Sequence, residues 1–339
     1  MTLSKTYVDG FLVEWEAGEY EAQVKSMRQK SQRLVPKIPS LATSGQATER
    51  STAARAQAVR ERLARTVLSV PEVMVKITSS CKGMGQIGRH LDYISRKGQI
   101  EVEDQDGLSV IGKDQLDELK EDWRVGGPET IPTKSSVRDT FNIVFSMPAH
   151  TEEVSLKRAV RAFAQTTFEG HQFVFAYHTP STDPDPNPPA HPHIHLSVKS
   201  QGCSGRRLNP RKADLQRWRE DFASQLRAHG IEANATTRLA RLKRERGIKR
   251  AVLALRERGE GPLAGDQRSV EEAKSRKSQA IRLEADRLTY LALASETLQR
   301  SEDKDDRTLG KALADRFGGP TEIAVGHKLA ETRLPERDI

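Results

Sequence analysis

The chain reads as an α+β protein, with a mainly antiparallel sheet, helices packed on one face of it and helical extensions at both ends. Three observations lead there. From residue 73 to residue 230 the hydrophobic patterns follow the order strand, helix, strand, helix, strand, strand, helix. Two strand-like runs, 173–178 and 193–199, flank a proline-rich loop, the pattern of an antiparallel pair. Only 36% of the 339 residues are hydrophobic and 5% aromatic, so a compact centre carries much solvated helix around it.

Residues 1–27 contain a short amphipathic segment around Phe11, Leu12, Val13 and Trp15. Residues 28–53 are rich in Lys, Pro, Ser, Thr and Gly, bury little surface and read as a tether. A helix from Thr52 to Thr66 leads to the first convincing strand, VMVKITSS, at 73–80. In GMGQIGRHLDYISRKG, Gly83 and Gly85 precede a helical pattern that sets Ile87, Leu91 and Ile94 on one face, with Tyr93 near its end. IEVEDQDGLSVIG predicts a hairpin, followed by a helix near 112–123 and a polar loop containing GGPETIPTKSS. TFNIVFSMP, 140–148, is the next core strand, and the helix after Pro148 is expected to bury Val154, Leu156, Val160, Phe163 and Phe168. Beyond the turn QGCSGRR, a long helix directs Trp218, Phe222 and Leu226 inward at steps of four. Another helical pattern covers 266–300, and the tail past 301 is expected to be weakly ordered.

The stretch 171–200 is where chemistry concentrates. His193, Ile194, His195, Leu196, Ser197 and Val198 alternate polar with apolar, so both histidines project from one face while Ile194, Leu196 and Val198 enter a core. If 173–178 pairs antiparallel with this run, His178 ends its strand beside them. Three neutral imidazoles converging from a rigid sheet suit a divalent metal with open coordination positions. His191, on the proline side, is expected to be a bystander.

A net charge of +8 and a pI near 9.4 favour a polyanionic partner. Residues 201–258 concentrate that charge, with 16 Lys and Arg against 6 Asp and Glu; Arg241, Lys243, Arg244 and Arg246 are the candidates for contact with a nucleic-acid backbone, the alternative being a solvated face. Cys81 and Cys203 are too few and too poorly spaced for a disulfide framework or a cysteine-zinc site, which points to a reducing, cytoplasmic setting. No stretch approaches the roughly 18 apolar residues of a membrane span, and the first residues lack a secretory pattern, so neither membrane insertion nor secretion is expected.

GRHLDYISRKG, together with His178 followed by HPHIHLSVK, resembles two motifs of the conjugative relaxases, the DNA-mobilisation nucleases of the HUH endonuclease superfamily, and in particular the group that includes the T-DNA border nuclease. VFSMP before a helix and LNPRKADLQRWREDFASQLRAHGIEANAT after the hairpin are similar too, and the resemblance covers roughly 70–240. It implies a five-stranded antiparallel sheet with helices, related to the ferredoxin-like folds. It divides the chain into an N-terminal arm and linker (1–69), a nuclease domain (70–240), a basic helical extension (241–300) and a tail (301–339).

By the same resemblance Tyr93 is the nucleophile, and His178, His193 and His195 hold a divalent ion (Mg, Mn or Zn). Where relatives carry an acidic residue two positions after the first histidine, this chain has Pro180, so Asp183 and Asp185 become the candidate supporting acids. A tyrosine hydroxyl, with an ordinary pKa of about 10, needs a nearby positive charge or base and in-line placement to attack a phosphodiester. His90 is a lesser candidate for nucleophile or base, and Arg89, Arg96 and Lys97 are candidates for holding phosphates. Of the five tyrosines, Tyr7 and Tyr20 lie in the N-terminal arm and Tyr290 in the late helix, while Tyr177 alternates onto the apolar strand face. The implied activity is nicking and rejoining of one strand at an origin of transfer, in single-stranded or supercoiled DNA, with accessory nicking proteins and a type IV coupling protein as partners and possible carriage with the DNA into a recipient. A rolling-circle replication initiator and a non-catalytic DNA-binding accessory protein with a structural metal are the alternatives.

Overall fold

The computed structural model describes residues 2–28, 46–148, 150–182, 191–236, 288 and 290–317. Residues 29–45 of the expected tether, together with Asp183, Asp185, Arg241, Lys243, Arg244 and Arg246, lie outside these; residues 46–53, read as part of the tether, instead begin the helix Gln46–Val67. The chain divides into two compact units, Val70–Ala235 and one drawn from both ends, Met1–Ser69 with Thr236–Ile339.

Val70–Ala235 is built on a six-stranded, wholly antiparallel sheet: β1 (Met74–Cys81), β2 (Val102–Asp104), β3 (Ser109–Val110), β4 (Thr140–Ser146), β5 (Phe173–His178) and β6 (His193–Lys199), in the order β1-β4-β6-β5-β2-β3. The fold class is the expected one, with one strand more than the resemblance implies. Two of the six, β2 and β3, come from the 100–111 hairpin, which joins the sheet through pairing of β2 with β5. Its turn is closed by Asp104 Oδ1, which accepts the backbone N–H of Asp106 at 2.9 Å and of Leu108 at 2.8 Å.

Helices cover both faces of the sheet, not one. Strands alternate side chains, so Phe173 and Phe175 face one way and Val174 and Ala176 the other. Phe141, Ile143, Phe145, Phe173, Phe175, Ile194, Leu196 and Val198 pack against Leu156, Val160 and Phe163 of α5 (Glu153–Thr167) and Trp218, Phe222 and Leu226 of α6 (Lys212–Ala228). Each fully buried Phe or Leu there contributes about 1.5–3 kcal/mol. Val154, expected in this core, is 52% exposed, because it lies in the first turn of α5, where Glu152 caps the backbone N–H groups of Val154 and Ser155 at 2.8 and 2.6 Å. On the opposite face Ile87, Leu91 and Ile94 of α3 (Met84–Ile94) and Leu116, Leu119 and Trp123 of α4 (Lys113–Val125) cover Val102, Val174 and Ala176.

That second face is polar where β4 and β6 run side by side, and Asn142 links two of its hydroxyls. Ser197 Oγ donates to Asn142 Oδ1 at 3.0 Å, and Asn142 Nδ2 donates to Ser79 Oγ at 2.8 Å. A polar strip inside a sheet is stable when so paired.

The other unit contains α1 (Lys5–Arg28), α2 (Gln46–Val67), a helical stretch over 290–299 and α7 (Lys304–Phe317). Val8, Leu12, Trp15, Val59, Leu63, Leu291, Leu298 and Leu313 form its core. Arg60 pairs with both Asp9 and Asp306 at 2.6 Å. Residues 304–317, expected to be weakly ordered, are therefore a packed helix.

Candidate functional site

Antiparallel pairing sets His178 directly opposite His193 and Ala176 opposite His195. Strand alternation then brings His178, His193 and His195 to one face, with ring centroids 5.4 Å (178–193), 4.6 Å (178–195) and 5.0 Å (193–195) apart. One nitrogen from each lies within 4.8 Å of the others. His178 is fully buried and His193 nearly so.

Hydrogen bonds assign the tautomers. His178 Nε2–H donates to the carbonyl of Ile94 at 2.7 Å, leaving Nδ1 as its acceptor nitrogen. His193 Nδ1 lies 3.4 Å from the carbonyl of His191. His191 thus contributes its backbone, and its side chain is exposed. His195 Nε2 is buried with no hydrogen-bond partner among the described residues. Burial, and then the neighbouring imidazoles, push the His195 pKa down to about 2, so one ring nitrogen keeps a free lone pair at any ordinary pH. Three clustered imidazoles, one with a buried, unmet nitrogen, fit a divalent metal of borderline softness. Backbone carbonyls brace two of them, as outer groups brace metal-bound histidines elsewhere.

Tyr93 stands at the edge of this cluster. Its ring meets that of His195 edge-on, with centroids 5.6 Å apart at 88°, and lies 6.4 Å from that of His178. It is 49% exposed, so one side of the phenol faces solvent and the other the histidines. His90, one turn earlier, stacks on Tyr93 at 6.2 Å; its Nε2 is buried without a partner among the described residues, and burial lowers its pKa to about 4. Of the three basic candidates, Arg89 and Lys97 are exposed, whereas Arg96 turns back onto Tyr93 and His178.

Two features hold the helix that carries Tyr93, and neither is a charged motif. The apolar stripe Ile87, Leu91 and Ile94 anchors α3 on the sheet. At its start Gly83 has φ 73°, and a Cβ there would meet the Thr133 carbonyl oxygen at 2.5 Å. This close approach lets Met84 N–H donate to Pro132 O at 2.9 Å and Gly85 N–H to Thr133 O at 3.0 Å, while Asp139 accepts from Gly83 N–H at 2.8 Å. Gly83→Ala is therefore expected to destabilise this unit by about 2–3 kcal/mol, from left-handed strain plus the clash. A urea titration of both proteins measures it, and an unchanged midpoint would show that α3 docks without this contact.

Residues 93–231 match the family described as relaxase, MobA/VirD2-like, nuclease domain. This segment is similar to relaxase nuclease domains. Three curated relatives carry the description T-DNA border endonuclease VirD2. That of Rhizobium radiobacter is 28% identical over 196 residues, 52% of this chain and 44% of the relative. That of Rhizobium rhizogenes is 26% identical over 223 residues, 60% of this chain and 49% of the relative. The protein of Agrobacterium fabrum (strain C58) is 28% identical over 196 residues, 52% of this chain and 42% of the relative. The matches thus span less than half the length of these relatives. The matched segment contains Tyr93 and all three clustered histidines, and no helix among the described residues is long and apolar enough to cross a membrane.

Proposed function

We propose that this chain is a site- and strand-specific DNA relaxase, which nicks one strand at an origin of transfer and later rejoins it for conjugative mobilisation. The observation that supports this best is the Tyr93 ring set edge-on against the three-histidine cluster. Tyr93 Oη gives up its proton and attacks the scissile phosphorus; the bond from phosphorus to the 3' oxygen breaks, and that oxygen takes up a proton. The products are a 5'-phosphotyrosine and a free 3'-hydroxyl. The ester keeps the energy of the broken bond, so the reverse attack by a 3'-hydroxyl restores the strand and frees Tyr93.

His178, His193 and His195 would hold the divalent metal, which when bound supplies Lewis-acid stabilisation of charge on the phosphate oxygens. Sheet and hairpin fix the histidines and α3 fixes Tyr93, so reacting groups on separate elements are aligned before DNA enters. Accessory nicking proteins and a type IV coupling protein are the partners this role entails, and the cytoplasm is its setting.

The test uses supercoiled plasmids carrying DNA that neighbours the gene, incubated with the protein and Mn2+. Relaxed circles with protein on one strand support the reading. Binding without any covalent product would leave the non-catalytic accessory protein instead, and nicking confined to a replication origin would favour the initiator.

The basic segment 201–258 is proposed to carry much of the contact with the DNA backbone. Neutralising Arg241, Lys243, Arg244 and Arg246 together should lower affinity and flatten the dependence of log K on log salt by up to about 3–4. Filter binding across a salt series measures this, and an unchanged slope would make the segment structural.

A further inference from the structure

Immediately after α3 the backbone enters the left-handed region at three successive residues, Arg96 (φ 51°), Lys97 (φ 58°) and Gly98 (φ 86°). Two of the three are not glycine, and the conformation is uncommon for residues with a Cβ. The surroundings enforce it. Lys97 N–H donates to Asp92 O at 2.7 Å and Ile100 N–H to Ser95 O at 2.8 Å. Ser95 Oγ donates to Leu91 O at 2.7 Å and accepts from Gly98 N–H at 3.1 Å.

The turn folds the Arg96 side chain back over the helix end. Its guanidinium carbon lies 4.8 Å from the centroid of the Tyr93 ring, and Nη1 donates to the Tyr93 carbonyl at 3.0 Å. Nη2 lies 3.3 Å from His178 Nδ1, and Nε donates to Thr182 O at 3.4 Å. Apart from His178 Nδ1, whose lone pair a metal would take, one planar cation therefore touches the ring of the nucleophile, the backbone of the same residue and the loop after β5. Backbone strain held in place by this many bonds is what functional sites retain.

We propose that Arg96 is a positioning residue that locks the Tyr93 ring against the histidine cluster, rather than a contact to the DNA backbone. The role rests on the relaxase reading above. A tyrosine that is half exposed at a helix end has other rotamers open to it. His195 meets one edge of the ring and the guanidinium covers a face, which narrows the arc that Oη can sweep. In-line attack on phosphorus is sensitive to such placement, with a displacement of about 1 Å costing roughly a hundredfold in rate. Lysine cannot replace the function, because it lacks the plane that stacks and the fork that bridges.

The test compares wild type, Arg96→Gly and Arg96→Lys on a single-stranded oligonucleotide taken from a random pool by covalent capture on wild-type protein. Affinity and its salt dependence are read in a Tyr93→Phe background, where no strand is cut. The rate of adduct formation is read in a single turnover at saturating DNA with Mn2+. Stability is read from urea midpoints.

Glycine relaxes the left-handed turn, so Arg96→Gly should keep or raise the midpoint. It should leave affinity and salt slope unchanged and slow the adduct by about 10–100-fold. Arg96→Lys should recover little of that rate. A purely structural arginine would not give a protein that is as stable or more so, binds as well and reacts slowly. If Arg96→Gly instead weakens binding and flattens the salt slope by about one, with the saturated rate unchanged, Arg96 is a phosphate contact and the proposal falls. An unchanged rate with unchanged affinity also overturns it. A pool that yields no adduct with wild type removes the relaxase reading and this role with it, so the two failures are distinguishable.

Discussion

Tyr93→Phe is expected to abolish covalent attachment to DNA, by on the order of 10^4-fold or more, while leaving fold, metal binding and DNA affinity in place. The substitution deletes one oxygen from a side chain that is 49% exposed, and surface changes of this kind move stability by about 0.5 kcal/mol or less. The ring that meets His195 and lies under Arg96 remains, so its contacts survive. Only the nucleophile is lost. Denaturing gels with end-labelled DNA give the adduct, and peptide mapping of the wild-type adduct gives the residue. His90 is the rival within reach, stacked on Tyr93 and neutral at ordinary pH. Adducts that persist in Tyr93→Phe but vanish in His90→Ala would transfer the role to the imidazole.

The parts of the fold that were legible in the sequence are those with a strong local period. The alternation in 193–199 predicts which side chains enter the core, and Ile194, Leu196 and Val198 are buried there. The stripe Ile87, Leu91 and Ile94 likewise predicts α3 and the face it buries. An apolar stripe does not say which side of a sheet will receive it, however, so α3 and α4 on the second face were not foreseeable. β2 and β3 have three and two residues, too short for any period, and their place in the sheet is decided by pairing with β5. The shared core of the two chain ends depends on contacts such as Arg60 with Asp306, separated by 246 residues. Local reading cannot detect such contacts.

The same division runs through the site. The convergence of His178, His193 and His195 follows from strand alternation plus one antiparallel pairing. The carbonyl of Ile94 that holds His178 was invisible, because every residue carries a carbonyl and only tertiary placement makes one of them matter. Arg96 looked like one more base beside a helix. Its difference from Arg89 and Lys97 lies in where the left-handed turn directs its side chain, which is not encoded in residue type.

His195→Ala is expected to weaken divalent-metal binding by more than the roughly 10–100-fold lost when an outer supporting group is removed, because it deletes a candidate ligand itself. It is also the cleanest of the three histidines to remove. His178 donates to Ile94 O at 2.7 Å and so braces the end of α3, whereas His195 Nε2 is buried with no partner among the described residues. An unmet buried nitrogen costs about 1–3 kcal/mol, so its removal offsets part of the packing lost with the ring. The apo protein should therefore melt close to wild type. The stabilisation that a bound metal gives, RT ln(1 + [M]/Kd), and with it the rise in Tm, should shrink or vanish, because the affinity has fallen while the fold has not. Calorimetry with Mn2+ and Zn2+ and melting with and without metal read the two effects separately from nicking. His191→Ala serves as the control, since that side chain is exposed and its backbone carbonyl, which lies against His193, is kept. If His195→Ala bound metal with wild-type affinity and showed the full metal-dependent rise in Tm, the three imidazoles would be a structural polar cluster, and the charge on the transferring phosphate would have to be met by the basic side chains alone.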